Sequence, residues 1–406
     1  MRLLILSSLF HPEPTANAVR ISELAQVLQQ AGHEITVLTG FPYYRNQTPD
    51  PDFAGKTFVE RVWNGIRIIH CYTYVARNRS LVERLKTFQS FALSSILGAK
   101  KRCHGSFDGI VAISPPFFTC FSALAISRIK HVPYILDIQD LYPETAIHLG
   151  YLRSPLLKKL LEASEKLVYR KACGVIGISE GFSQHFQKAG VSPLATGVIP
   201  SWVDLKVFPY QVCRHDPPTQ QRPLVLGFFG NHGLAQGLEM LIGGMVLLKN
   251  EPRVRLLMIG DGVAKPDLLI RAQRAGLTNI EFAPPCRHDE VADRLREIDV
   301  GIVHLRKNPL YKITVPCKTY EYMALGKPVL IGVDGEARTI VENHRAGLFF
   351  EPENPADFAR AVRDLLILPA RLPILSKSGR NAAETEYSQV ILGQKYRSFV
   401  EERFSP

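Results

Sequence analysis

Long apolar runs are missing from this 406-residue chain. A helix that crosses a bilayer needs about 20 apolar residues. The strongest runs here, 3–10 and 224–229, are of strand length and stop at Gly, Pro, Asn or His. The start does not read as a secretory leader. Met1-Arg2-Leu3-Leu4-Ile5-Leu6 is soon followed by His11-Pro12-Glu13-Pro14, with no long h-region and no small-residue cleavage site. It reads as a first buried strand. Cysteine is sparse as well. The seven (71, 103, 120, 173, 213, 286 and 317) are odd in number, scattered and never spaced C-x-x-C. That pattern excludes a disulfide scaffold and a zinc knuckle, and it fits reduced thiols in a cytoplasmic protein. Gly 29 and Pro 28 are too few for a collagen-like or low-complexity chain. Neither the dinucleotide pattern G-x-G-x-x-G nor a P-loop occurs.

Acidic residues are outnumbered, 38 against 49 Lys and Arg, for a net charge of +11. The excess sits early. Residues 1–198 carry 22 basic and 14 acidic side chains, and the remainder carries 27 and 24. Partners are therefore expected to be anionic: phosphates, nucleic acid or an acidic membrane face.

What is present is alternation. Strands are expected at 3–7, 35–39, 109–113, 134–137 and 175–179, with helical patterns between them. Asn64-Gly65 marks a hairpin between 58–63 and 66–72. The pattern breaks at Val198-Ile199-Pro200 and over the polar stretch 213–223, then restarts with strands at 224–229, 254–259, 280–282, 300–304, 329–331 and 347–350. Strands separated by helices imply parallel sheets covered on both faces. The expected class is α/β, with two doubly wound Rossmann-like domains at 1–198 and 199–380. A last helix at 381–406 is expected to return to the first domain.

In such sheets ligands sit beyond the carboxyl ends of the strands. After 224–229 comes Gly230-Asn231-His232-Gly233-Leu234-Ala235-Gln236-Gly237, and after 254–259 comes Gly260-Asp261-Gly262. Glycines let a backbone approach a phosphate, although either loop also reads as a tight strand–helix turn. The segment Val315 to Pro328 says more. Cys317, Lys318 and Thr319 open a helix that Gly326-Lys327-Pro328 closes. A cation in a first helical turn opposes the dipole, and an anionic ligand corrects the mismatch. Lys318 thus marks a diphosphate site, and Glu321, one turn on, can accept two ribose hydroxyls.

Together these motifs resemble the GT-B glycosyltransferases of family 4, in particular bacterial enzymes of capsule, O-antigen and colanic-acid assembly. The resemblance rests on the 230 and 260 loops, the junction 198–208, and Tyr320-Glu321-Tyr322-Met323-Ala324-Leu325-Gly326-Lys327-Pro328. It extends to 33–39 and to Asp137-Ile138-Gln139-Asp140-Leu141-Tyr142-Pro143-Glu144. It implies two domains facing each other across a cleft. It also implies transfer from a nucleotide diphosphate sugar, UDP-linked, to a lipid-linked saccharide, with retention and without a metal or other cofactor. The second domain would take the donor through Gly230, Asn231, Gly260, Asp261, Arg287, Cys317, Lys318, Thr319 and Glu321. The first would take the acceptor, with Asp137 and Asp140 catalytic and Asn17 and Arg20 on the acceptor or phosphate side. His11 and His304 are weaker candidates for these two sites, and His33 reads as a helix-end residue. Two departures stand out. Many members carry Glu-x7-Glu, and here the first position is Ile313. Many place Arg and Lys around the 230 loop, where this chain has Asn231 and Gln236, which leaves Lys318 and Lys312 as substitutes.

Two basic stretches, 77–102 and 153–171, interleave Lys and Arg with leucines near helical spacing. They predict docking on an anionic membrane face, the inner face of the cell membrane. A nucleotide-sugar epimerase of the same architecture and a nucleic-acid-binding protein are the alternatives. No nucleic-acid motif supports the second.

Overall fold

The structure, a computed structural model, describes residues 1–43, 51–76, 80–148, 154–214, 216–287 and 290–405. Arg77, Arg79 and Arg153 of the basic stretches lie outside the described residues. The chain divides into two units, Met1–Ile199 with Gly393–Pro406, and Pro200–Leu392. The expected α/β class holds, with a doubly wound sheet in each. All seven cysteines are free thiols.

The first unit is built on β1 (Arg2–Ser7), β2 (Glu34–Gly40), β3 (Phe58–Trp63), β4 (Ile66–Cys71), β5 (Gly109–Ser114), β6 (Tyr134–Ile138), β7 (Gly174–Gly177) and β8 (Thr196–Val198). They line up as β3-β4-β2-β1-β5-β6-β7-β8. Pairing is parallel throughout except β3 with β4. Asn64 and Gly65 take φ of 48° and 79°, so both central residues of that hairpin turn are left-handed. Strands β5, β6 and β7 are buried at every position. This is why they read as unbroken apolar runs. The three-residue β8 was not expected from the sequence.

The last helix, Gln389–Phe404, begins in the second unit and from Gly393 belongs to the first. Its aromatic rings need bare backbone beneath them. A Cβ on Gly109 would stand 2.4 Å from the Phe404 ring, and one on Gly197 would stand 2.9 Å from the Phe399 ring. Residues 381–392 stay with the second unit.

The second unit carries β9 (Leu224–Phe229), β10 (Val254–Ile259), β11 (Ile280–Ala283), β12 (Val300–His304), β13 (Val329–Gly332) and β14 (Gly347–Phe349), in the order β11-β10-β9-β12-β13-β14. All pairs are parallel. Phe228, Met258, Phe350 and Phe358 are among its core residues. The strand order reverses between β9 and β12, and a crevice opens at such a reversal beyond the carboxyl ends. Among the described residues no helix is long and apolar enough to cross a membrane.

Candidate functional site

The helix Lys318–Leu325 is clamped over this reversal by one side chain. The Tyr322 hydroxyl accepts from the Phe229 amide at 3.1 Å and donates to the Gly227 carbonyl at 3.3 Å, both on β9. Its ring fills the space a Cβ on Gly301 of β12 would need, 2.4 Å away. The helix start is thereby fixed at the end of β9. There Lys318 Nζ donates to the Phe229 carbonyl at 2.8 Å and lies 4.0 Å from the centre of the Phe228 ring. Gly230 follows with φ +121°, and a Cβ there would stand 3.1 Å from Nζ. Conformation and proximity both demand glycine. Burial lowers the Lys318 pKa to about 8, while Cys317 and Glu321 oppose the shift. Glu321, half-buried one turn on, is pushed up to about 7 by burial while Lys318 pulls it back. Most amides of this first turn are occupied. Those of Thr319, Tyr320 and Glu321 bond to the carbonyls of Pro316 and Cys317. Anion binding therefore rests on the ammonium of Lys318 more than on free N–H groups.

The 260 loop lies against the 230 loop. The amides of Gly230, His232 and Ala264 bond to Ile259, Asp261 and His232 at 2.9, 2.8 and 2.9 Å. A Cβ on Gly260 would stand 1.9 Å from the Gly230 carbonyl oxygen. The bare position at Gly260 serves backbone-to-backbone contact. Asn231 and Asp261 stay exposed. Two residues that sequence reasoning missed lie here. Lys265 Nζ donates to the carbonyls of Gly260 at 2.7 Å and Ala283 at 3.2 Å. It opens the helix Lys265–Arg274, the same electrostatic anomaly that singled out Lys318. His232 is fully buried, and burial with the charges of Lys265 and Lys318 lowers its pKa to about 4.

Arg287 is exposed, with its guanidinium 3.9 Å from Glu290. Thr319 is buried, and its hydroxyl has no hydrogen-bond partner. Cys317 is exposed, and desolvation around its sulfur pushes the thiol up to about 12, so it is no thiolate at neutral pH. Lys312 is engaged with Asp334 at 3.0 Å, in a groove of about 250 Å³ at the carboxyl ends of β12, β13 and β14. His304 is a satisfied core histidine. Its Nδ1 meets the Gln236 carbonyl at 2.6 Å and its Nε2 accepts from the Glu353 amide at 3.1 Å.

In the first unit, the two carboxylates at the end of β6 part ways. Asp137 has no exposed surface. It accepts from Arg20 at 3.1 Å, from the Tyr396 hydroxyl at 3.2 Å and from the Gln139 amide. The reading of Asp137 as catalytic and of Arg20 as phosphate-facing is corrected accordingly. The two form a buried ion pair that ties the first helix, β6 and the last helix together. Asp140 remains half-exposed, accepts from Thr145 at 2.7 Å, and burial raises its pKa. Asn17 is exposed on the first helix, and His11 is exposed and stacks on Trp63 at 4.7 Å. His33 bridges the start of the chain to Glu401 at 3.0 Å.

Comparisons with known proteins agree with this architecture. A family model for "Glycosyl transferase 4-like domain" matches residues 16–202, and one for "Glycosyl transferases group 1" matches residues 223–367. The chain is 24% identical over 381 residues to the "Putative colanic acid biosynthesis glycosyl transferase WcaI" of Escherichia coli K12, covering 91% of this chain and 93% of that one. Among solved structures, sucrose-phosphate synthase from Thermosynechococcus elongatus superposes with a TM-score of 0.76 at 18% identity, covering 100% of this chain and 99% of its own. Anabaena Alr3699/HepE in complex with UDP-glucose gives 0.72 at 14% identity, covering 99% and 100%.

Proposed function

Because the chain belongs to the glycosyltransferases of the GT-B fold, we propose that it moves a sugar from a UDP-linked donor to a lipid-linked saccharide in surface polysaccharide synthesis. The observation that carries the donor half is Lys318, an ammonium held at the end of β9 against a glycine that leaves room for a phosphate. The bond from the anomeric carbon to the diphosphate oxygen breaks, and an acceptor hydroxyl oxygen takes its place. Lys318 stabilises the charge that develops on the departing diphosphate, a preorganised role that needs no metal at that point. With no enzymic nucleophile in view, attack on the face of departure passes the hydroxyl proton to the leaving phosphate and retains configuration. Asp140, and not Asp137, is the carboxylate at the end of β6 open enough to orient the acceptor. The colanic-acid assignment of the Escherichia coli relative and the UDP-glucose held by the Anabaena neighbour support this substrate class. A panel of UDP-, GDP- and ADP-sugars, read by nucleotide release, tests the reading. Release that requires a lipid-linked acceptor is expected. Turnover of the donor without any acceptor would favour an epimerase, and no release from any donor would overturn the transferase reading.

The protonation of Lys318 predicts a pH dependence. Its pKa is lowered to about 8, so the ammonium is present below that value and lost as pH rises through it. UDP affinity should fall by up to about tenfold per unit above pH 8, well before an ordinary lysine titrates near 10.4. Calorimetric titration from pH 7 to 9.5 reads this directly. The variant Lys318→Arg should stay flat over the same range.

The acceptor half is proposed to be served by a membrane-facing helix. Pro155–Lys171 is inverted for a soluble helix. It buries Glu165, Val168 and Tyr169 and exposes Leu156, Leu157, Leu160 and Leu167 beside Lys158, Lys159 and Lys166. Exposed leucines among lysines fit an anionic bilayer. The other basic helix, Leu81–Lys101, fits less well because Phe91 and Ala92 are buried. Each Lys near an anionic surface is worth about 1 kcal/mol. Removing three, as in Lys158→Gln, Lys159→Gln and Lys166→Gln together, should weaken sedimentation with anionic vesicles roughly 100-fold and leave UDP affinity alone. Equal partitioning of the wild-type chain to neutral vesicles would refute the assignment.

A further inference from the structure

The inward face of the same helix carries a cluster that no sequence spacing reveals. Glu165, 3% exposed, meets His185 Nε2 at 2.9 Å, and Glu144 Oε1 lies 3.8 Å from that nitrogen. One ligand atom from each residue lies within 4.8 Å of the other two. The three come from separate elements: the short helix Glu144–His148 after β6, the helix Pro155–Lys171, and the helix Glu180–Lys188. It is the one such cluster among the described residues.

Ion pairing alone leaves this cluster unbalanced. Two ionised carboxylates against one protonated imidazole carry a net negative charge, which a cation or a proton on Glu144 would offset. Burial, and then the charge of Glu165, hold the Glu144 carboxyl above its ordinary range. Burial pulls His185 down, but its hydrogen bond to Glu165 and the charges of Glu165 and Glu144 outweigh it. Glu144 Oε2 is buried with no hydrogen-bond partner. Tyr169, one turn from Glu165 and 1% exposed, sets its hydroxyl within hydrogen-bonding reach of that carboxylate. Burial first, and then the charge of Glu165, a hydrogen bond to it and the charge of Glu144, raise its pKa.

We propose that Glu144, Glu165 and His185 hold a divalent first-row metal ion, with the Tyr169 hydroxyl turned toward a carboxylate or a water on it. Ligands at about 2.0–2.2 Å from one ion stand roughly 3–3.5 Å apart, so the spacings of 2.9 and 3.8 Å need only small adjustment. Mixed carboxylate and imidazole ligands suit Mn, Fe or Zn, and three protein ligands leave positions open. The ion would fasten the membrane-facing helix to the turn after β6, which carries Asp140. It lies in the first unit, and the donor lysine lies in the second, so this proposal stands independently of the donor reading.

Manganese is the probe, because scattered free thiols compete for zinc. Chelator-treated full-length protein, without nucleotide, is titrated with Mn²⁺ and free ion is followed by electron paramagnetic resonance. One ion per chain is expected. Glu144→Gln and His185→Gln should each weaken binding at least tenfold. Glu144→Gln is near-isosteric and removes a like charge beside Glu165, so its melting curve in chelator should match the wild type, which separates loss of the site from loss of the fold. Mn²⁺ should also raise the wild-type melting temperature and leave that of His185→Gln unmoved. No bound ion in the wild type, or undiminished binding in His185→Gln, overturns the proposal and leaves the cluster an ion pair.

Discussion

Replacing Lys318 by methionine is expected to weaken UDP binding roughly 10–150-fold, because a hydrogen bond to a charged group is worth about 1.5–3 kcal/mol. Methionine keeps most of the stem that lies on Phe228. The variant also no longer places an ammonium where burial depresses its pKa to about 8. Stability should therefore hold or rise slightly while affinity collapses. Calorimetry with UDP and a thermal melt of the same sample separate the two. Glu321→Ala should lose affinity as well, and that loss should vanish for a diphosphate ligand without ribose hydroxyls. Unchanged UDP affinity in Lys318→Met would sink the donor-site assignment.

The second large effect falls on stability. Asp137→Ala takes away a carboxylate 3.1 Å from the Arg20 guanidinium, which is 8% exposed. Removing one member of a buried pair costs about 3–5 kcal/mol, since the partner is left charged and dry. The Tyr396 hydroxyl loses one hydrogen bond in the same step. The chain holds 2 tryptophans, Trp63 in the first unit and Trp202 in the second. With Trp202→Phe as background, Trp63 fluorescence reports unfolding of the first unit alone. The variant should unfold at lower denaturant with UDP affinity untouched. Arg20→Met combined with Asp137→Ala should recover much of the loss. An Asp137→Ala protein of full stability and no transfer would restore this carboxylate to the chemistry.

Much of the fold was legible because parallel strands covered on both faces announce themselves as apolar runs. Even so, Thr196–Val198 escaped: three half-buried residues carry no period. The end of β9 was legible through Lys318, whose charge contradicts its place in a helix. Applied evenly, that argument would also have found Lys265. Asp137 misled because position at a strand's carboxyl end does not distinguish a carboxylate facing solvent from one facing an arginine more than 100 residues away in sequence. The Glu144–Glu165–His185 cluster was illegible for a related reason. Its members meet only after three helices are placed, and no motif precedes the tertiary structure.

The last helix bears on how the protein comes to be made. Tyr396, Phe399 and Phe404 complete the first unit, on strands that leave bare glycines at 109 and 197 to receive two of these rings. A ribosome delivers those rings long after the strands that receive them. Until then the first 199 residues emerge with an apolar furrow open along β5–β8 and with Asp137 lacking one of its donors, so the earlier-synthesised half must wait for the later one. The nascent first unit should depend on holding factors during translation. A gene fragment encoding residues 1–199 alone should yield aggregated product, rescued by supplying residues 389–406 as a separate peptide.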